Sequence, residues 1–89
     1  MRRIIDPFID FLPSIDLHGT DRVLAKIKTE EFINDSIKLR YRKIVIIHGK
    51  GDGIVKDEVF KTLKKNKYVE SFKLNGFNVG CTIVNLKID

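Results

Sequence analysis

Two short segments carry the residue types that do chemistry: "IDLHG" at 15–19 and "IIHGKGDG" at 46–53. Each places a histidine directly before a glycine, and His18 and His48 are the only two histidines in the chain. Imidazole exchanges protons near neutral pH, so two of them with the carboxylate of Asp16 can support general acid–base cleavage of a phosphodiester. In RNA such a base would activate the 2′-hydroxyl; in DNA the nucleophile would be water. The second segment holds Gly49, Gly51 and Gly53, half of the six glycines in the chain. A glycine-rich turn that opens a helix presents backbone N–H groups at the positive end of the helix dipole, which suits a phosphate. Lys50 would add charge there. The plainer alternative is a tight strand-to-helix turn with His48 capped by its neighbours.

Other readings of these residues fail on spacing. A phosphate-binding loop of the G-x-x-x-x-G-K-[S/T] type needs a hydroxyl after its lysine, and Gly51 follows Lys50. The dinucleotide fingerprint G-x-G-x-x-G has Ile54 where its third glycine belongs. Asp16, His18 and His48 could in principle hold a zinc ion, but no fixed-spacing signature supports it. A magnesium ion beside Asp16 suits a phosphodiester substrate better.

The elements that must position these residues follow from periodicity. Ser14–Leu17 reads as a short strand. A helix of about twenty residues follows, with Thr20 or Asp21 as its N-cap. Its apolar residues spread round the circumference: Ala25, Phe32 and Ile33 on one side, Val23, Ile27 and Ile37 round the other. A second cover is therefore expected, from the N-terminal segment (Ile4, Ile5, Phe8, Phe11, Leu12) or from a dimer partner. The run Ile44–Ile47 marks a strand buried on both faces. A second helix begins at Ile54, with Val55, Val59, Phe60 and Leu63 on one face and Asn66 as terminator. Two more strands flank a turn at Asn75-Gly76. The order β-α-β-α-β-β gives a two-layer α/β sandwich with a four-stranded mixed sheet and two helices. Residues 1–13 are expected to be an extension packing on a domain of residues 14–89. If the first two strands are parallel, both motifs emerge at one sheet edge, where ligands collect.

Bulk properties narrow the partners. At 89 residues, 43% hydrophobic and 33% charged, the chain holds one modest core. The single cysteine, Cys81, excludes an internal disulfide and reads as a small core residue in a reducing cytoplasm. The start "MRRIIDPFIDFLP" is interrupted by Asp6, Pro7 and Asp10, so it is not a secretory signal, and no run reaches the length of a membrane span. A net charge of +5 favours polyanions. Lys38, Arg40, Arg42 and Lys43 form one basic cluster, from which Arg42 is added to the phosphate-binding set. Lys61, Lys64, Lys65 and Lys67 form another. Both also read as solvated helix ends, where cations complement the dipole. Aromatic residues are sparse near the motifs, which favours backbone over base recognition.

The segments "IDLHG", "IIHGKGDG" and "VGCTIVNL" (79–86), in this order and spacing, resemble the Smr (small MutS-related) domain family. Ala25 and the Phe32-Ile33 pair also fall where members carry similar residues. The resemblance covers about Ser14 to Leu86 and implies a fold like the C-terminal domain of initiation factor three. It implies nucleic-acid work, in DNA repair or RNA surveillance, as a nicking enzyme or endonuclease or as a module that only binds. On it, the catalytic role falls on Asp16 and His18 and substrate binding on His48, Gly49 and Gly51. Where members carry two or three glycines before the last strand, this chain keeps Gly80 alone. The expected partner is nucleic acid rather than membrane, for a monomer or weak homodimer aided by a targeting protein. The rival expectation is a non-catalytic adaptor or dimerisation module.

Overall fold

The computed structural model describes residues 12–76 and 79–88. Its elements run β1 (Ser14–Asp16), α1 (Arg22–Lys38), β2 (Lys43–Ile47), α2 (Ile54–Lys65), β3 (Val69–Leu74) and β4 (Cys81–Leu86). The four strands form one sheet in the order β1-β2-β4-β3. β1 lies parallel to β2, with Asp16 opposite Ile47, and the other two pairings are antiparallel. This is the expected two-layer α/β sandwich. The sheet is mixed because β1 and β2 are joined by a helical crossover, whereas β3 and β4 form a hairpin.

β2 is central and buried on both faces, as its branched run requires. Ile44 and Ile46 point into the main core with Ile33, Val59, Leu63, Val84 and Leu86. Val45, between them, faces the opposite side and meets Cys81, Ile47, Ile83 and Leu12. The thiol of Cys81 is buried, as expected. In β4 the alternation of Thr82, Val84 and Leu86 turns all three inward.

α1 is capped by Asp21, whose carboxylate accepts the Leu24 N–H at 2.8 Å. It ends three residues into "KLR" through a left-handed Arg40, with the Arg40 and Tyr41 amides donating to Ile37 and Ser36 carbonyls. That is the usual helix-ending double bond, made here without glycine. The buried stripe of α1 is Ala25, Thr29, Ile33 and Ser36, so small residues let it lie close on its neighbours. Phe32 and Ile37 both pack against the core, although spacing assigned them to different sides. Val23 and Ile27 are exposed. Leu12 covers the helix-free face of the sheet rather than this side of α1, and the Pro13 carbonyl accepts the Val45 N–H at 2.9 Å. Residues 1–11 of the expected extension lie outside the described residues. The β3–β4 connection takes all of residues 75–80, closed by the Asn75 N–H on the Cys81 carbonyl at 3.0 Å.

Replacing the fully buried Ile46 by alanine is expected to cost about 2–5 kcal/mol in denaturant unfolding, from lost burial and the cavity left behind. Val23→Ala, at a position 70% exposed, should stay within about 0.5 kcal/mol of wild type.

Candidate nucleic-acid cleft

Parallel pairing of β1 and β2 puts both motifs on one edge of the sheet. The Leu17 N–H donates to the Ile47 carbonyl at 2.6 Å, locking the two strand ends together. Beyond them each chain turns through a glycine of positive φ, 79° at Gly19 and 88° at Gly49. A side chain in that backbone conformation is strained, which explains why each histidine is followed by glycine. At Gly49 space matters as well: a Cβ there would sit 3.2 Å from the Cβ of His18. The two segments are thus in direct contact.

They bound a cleft of about 580 Å³, walled by residues 18–22 on one side and 48–56 on the other. Both helices begin here, so two positive dipole ends face it. The two carboxylates on its rim are occupied: Asp21 caps α1, and Asp52 accepts the Ile54 N–H at 3.2 Å. Arg22, Lys50 and Lys56 remain as its cations. The N–H groups of Lys50, Gly51, Asp52 and Gly53 donate to no acceptor among the described residues. Gly53 is the left-handed N-cap residue of α2, with no side chain to cap the amides behind it. At Gly51 nothing in the fold calls for glycine: its φ is ordinary and an added Cβ would meet nothing within 4 Å.

The two histidines do different things. His18 is exposed, and its Nδ1 lies 2.6 Å from Asp16 Oδ1. A carboxylate only accepts, so the proton sits on Nδ1 and Nε2 keeps its lone pair without a protein partner. The same Asp16 oxygen accepts the His18 backbone N–H at 3.1 Å. These bonds, the side-chain one first, hold the Asp16 carboxyl below its ordinary value of 3.8. Asp16 does not line the cleft and reaches it only through His18.

His48 is 4% exposed and packs edge-on to Phe60 at 6.3 Å between ring centres. Its Nδ1–H donates to the Gly49 carbonyl at 3.0 Å, and Nε2 accepts the Thr82 hydroxyl at 2.8 Å. Both ring nitrogens are therefore committed inside the protein, and the ring cannot serve as a phosphate ligand or as a second acid–base group while these bonds stand. Burial, the main cause, lowers the proton affinity of His48, and the nearby Lys56 adds to it. The Gly80 carbonyl accepts the amides of both His48 and Gly49, at 2.9 and 3.0 Å. The one glycine retained before β4 thus anchors the loop.

Arg42 departs from the expectation that joined it to this site. It precedes β2, at the opposite end of the strand from His48, and its guanidinium donates to the Ile88 carbonyl at 3.1 Å. Proximity in a basic cluster of the sequence does not survive the length of a strand, about 17 Å for five residues. Sequence reasoning missed Arg22, Lys56 and Thr82. The first two stand in the opening turn of each helix; Thr82 is the one hydroxyl in the buried alternation of β4.

The Smr domain model matches residues 15–87, the region that holds both cleft segments and the whole sheet. The chain belongs to the Smr domain family. It is 36% identical over 77 residues to the endonuclease MutS2 of Clostridium acetobutylicum, covering 83% of this chain and 10% of that protein. The endonuclease MutS2 of Geobacillus kaustophilus is 37% identical over 76 residues, with coverages of 82% and 10%. The chain thus spans about a tenth of the length of these relatives. Among solved structures, the Smr domain of Thermus thermophilus MutS2 superposes with a TM-score of 0.82 at 25% identity, covering 85% of this chain and 99% of that one. YdaL, a stand-alone small MutS-related protein from Escherichia coli, gives 0.80 at 21% identity, with coverages of 97% and 79%. The latter speaks to the fold alone. No helix among the described residues is long and apolar enough to cross a membrane.

Gly49→Ala should destabilise this Smr domain by about 1–2 kcal/mol in chemical unfolding, because alanine is strained at φ +88° and presses on His18. Gly51→Ala should leave stability within about 0.5 kcal/mol of wild type. The lowered proton affinity of His48 sets a pH dependence. The unfolded chain takes up this proton near the ordinary value of 6.5 and the folded chain only at lower pH, so stability falls as pH drops below that value. Thermal melts between pH 7.5 and 5 should show this fall, and His48→Gln, with a lower starting melting temperature, should show a flatter one.

Proposed function

We propose that this Smr domain binds nucleic acid through the cleft and cleaves a phosphodiester there. The observation that carries the reading is the exposed His18, oriented by Asp16 and in contact with a glycine loop whose amides are free. The loop amides, Lys50 and the two helix N-termini would hold one phosphate, while Arg22 and Lys56 engage its neighbours. That the listed curated relatives are named endonucleases supports the chemistry, although the chain matches only a tenth of them.

In this reading His18 Nε2 is the general base. With RNA it removes the 2′-hydroxyl proton; the oxygen attacks the adjacent phosphorus, and the 5′-oxygen leaves with a proton from the imidazolium or from water. With DNA it removes a proton from the attacking water. Asp16 is a positioning residue: it fixes the Nδ1–H tautomer and stabilises the imidazolium as it forms. His48 contributes by holding the loop, not by proton transfer. Among the described residues no three of His, Cys, Asp and Glu converge on a metal site. A magnesium ion would find one protein oxygen, the Asp16 Oδ2 that His18 leaves free, and would complete its shell from phosphate and water.

The test is cleavage of labelled single- and double-stranded RNA and DNA, with magnesium and with EDTA. His18→Ala should lower the rate at least about 100-fold and Asp16→Asn about 10- to 100-fold, with binding held within about threefold. Wild-type cleavage by His18→Ala would remove the catalytic assignment. Salt-sensitive binding without cleavage of any substrate would establish the non-catalytic module instead.

A further inference from the structure

A second concavity lies between the two helices. It has a volume of about 400 Å³ and is walled by Lys26 on α1 and by Lys61 and Lys65 on α2, and closed by Lys67 and Tyr68 just past α2. Glu30 and Glu58 are the only carboxylates on its wall. None of these lysines lies within 4 Å of a carboxylate, since the one ion pair of that length among the described residues joins His18 and Asp16. Lys67 Nζ stands 5.2 Å from the centre of the Tyr68 ring.

Helix-end electrostatics accounts for Lys65, in the last turn of α2, but not for the others. Lys26 sits early in α1, where the dipole disfavours a cation, and Lys61 is in the middle of α2. The groove is also continuous with the cleft. Arg22, on the cleft wall, is four residues before Lys26, so one helical turn of about 6 Å separates the two cations on one face of α1. On α2 the cleft wall ends at Lys56 and the groove wall begins at Glu58. From Ile54 to Lys65 the rise along the helix is about 16 Å.

We propose that this α1/α2 groove is a second anchoring surface for nucleic acid, a track of lysines that holds the backbone of the strand leaving the cleft. It rests on the reading of the cleft as a nucleic-acid site and adds to it a direction: the strand runs along the helices, away from the sheet. Unpaired lysines bind phosphate by displacing its counterions, which makes their contribution sequence-independent and salt-dependent.

The test is fluorescence anisotropy of the full chain with single-stranded oligonucleotides of about 5 and about 20 nucleotides, over a range of salt. Lys61→Gln/Lys65→Gln should weaken the long oligonucleotide roughly tenfold and reduce its log–log salt slope by close to 2. It should leave the short one within about twofold, because that length fills the cleft alone. Lys73→Gln, a charge lost from the opposite face of the sheet, should change neither. The groove is overturned if the double variant binds the long oligonucleotide as wild type does, or loses both lengths equally, or is matched by Lys73→Gln. Lys50→Gln separates the two sites. Loss of both lengths supports the cleft with its track, while no loss, beside a clear effect of the double variant, keeps the groove and removes the cleft.

Discussion

Everything at the functional edge depends on the parallel pairing of β1 with β2. Only three residues of β1 take part, yet their register sets Asp16 beside Ile47 and so brings the next residues of both strands out together. The right-handed crossover through α1 then starts the helix at the same edge, and α2 starts there after the glycine loop. An antiparallel pairing would place the two histidine–glycine turns at opposite ends of the sheet. The strand that enforces this arrangement is β2, whose alternating isoleucines and valine are buried on both faces.

The two histidines show how one sequence pattern serves two physical ends. At His18 the ring is in water and has one nitrogen bonded to a carboxylate, an arrangement that orients an imidazole without removing its basicity. At His48 the ring is in the core, and a backbone carbonyl and a threonine hydroxyl take both nitrogens. Burial there disfavours the charged form, so a neutral ring bridges the loop to β4. The loop is held a second time, through backbone, by the Gly80 carbonyl. Rigidity on that side and accessibility on the other are what a site needs if one wall is to hold a phosphate while the other acts on it.

Element order, the central buried strand, the caps and the shared sheet edge were legible in the sequence, because each rests on local periodicity or on a turn residue. Asp16, His18 and the glycine loop were found for the same reason. What sequence could not show depends on contacts distant along the chain. The burial of His48 is decided by Thr82 and Phe60, far along the chain from it. Arg42 joined the candidate site by proximity in sequence, and strand length removed it. The cover for α1 was inferred from its spread of apolar residues, but Leu12 packs on the other side of the sheet, where Val45 and Cys81 need it.

The central claim is that one cleft, made by two strand ends and two helix starts, receives a nucleic-acid phosphate. The most direct measurement is an amide chemical-shift map of the full chain, titrated with a short single-stranded oligonucleotide. The largest and saturable shifts should fall on residues 18–22 and 49–53, including the amides of Gly51 and Gly53, with β3 unaffected. Saturable shifts confined to β3 and the helix-free face of the sheet, with the amides of 49–53 silent, would contradict it.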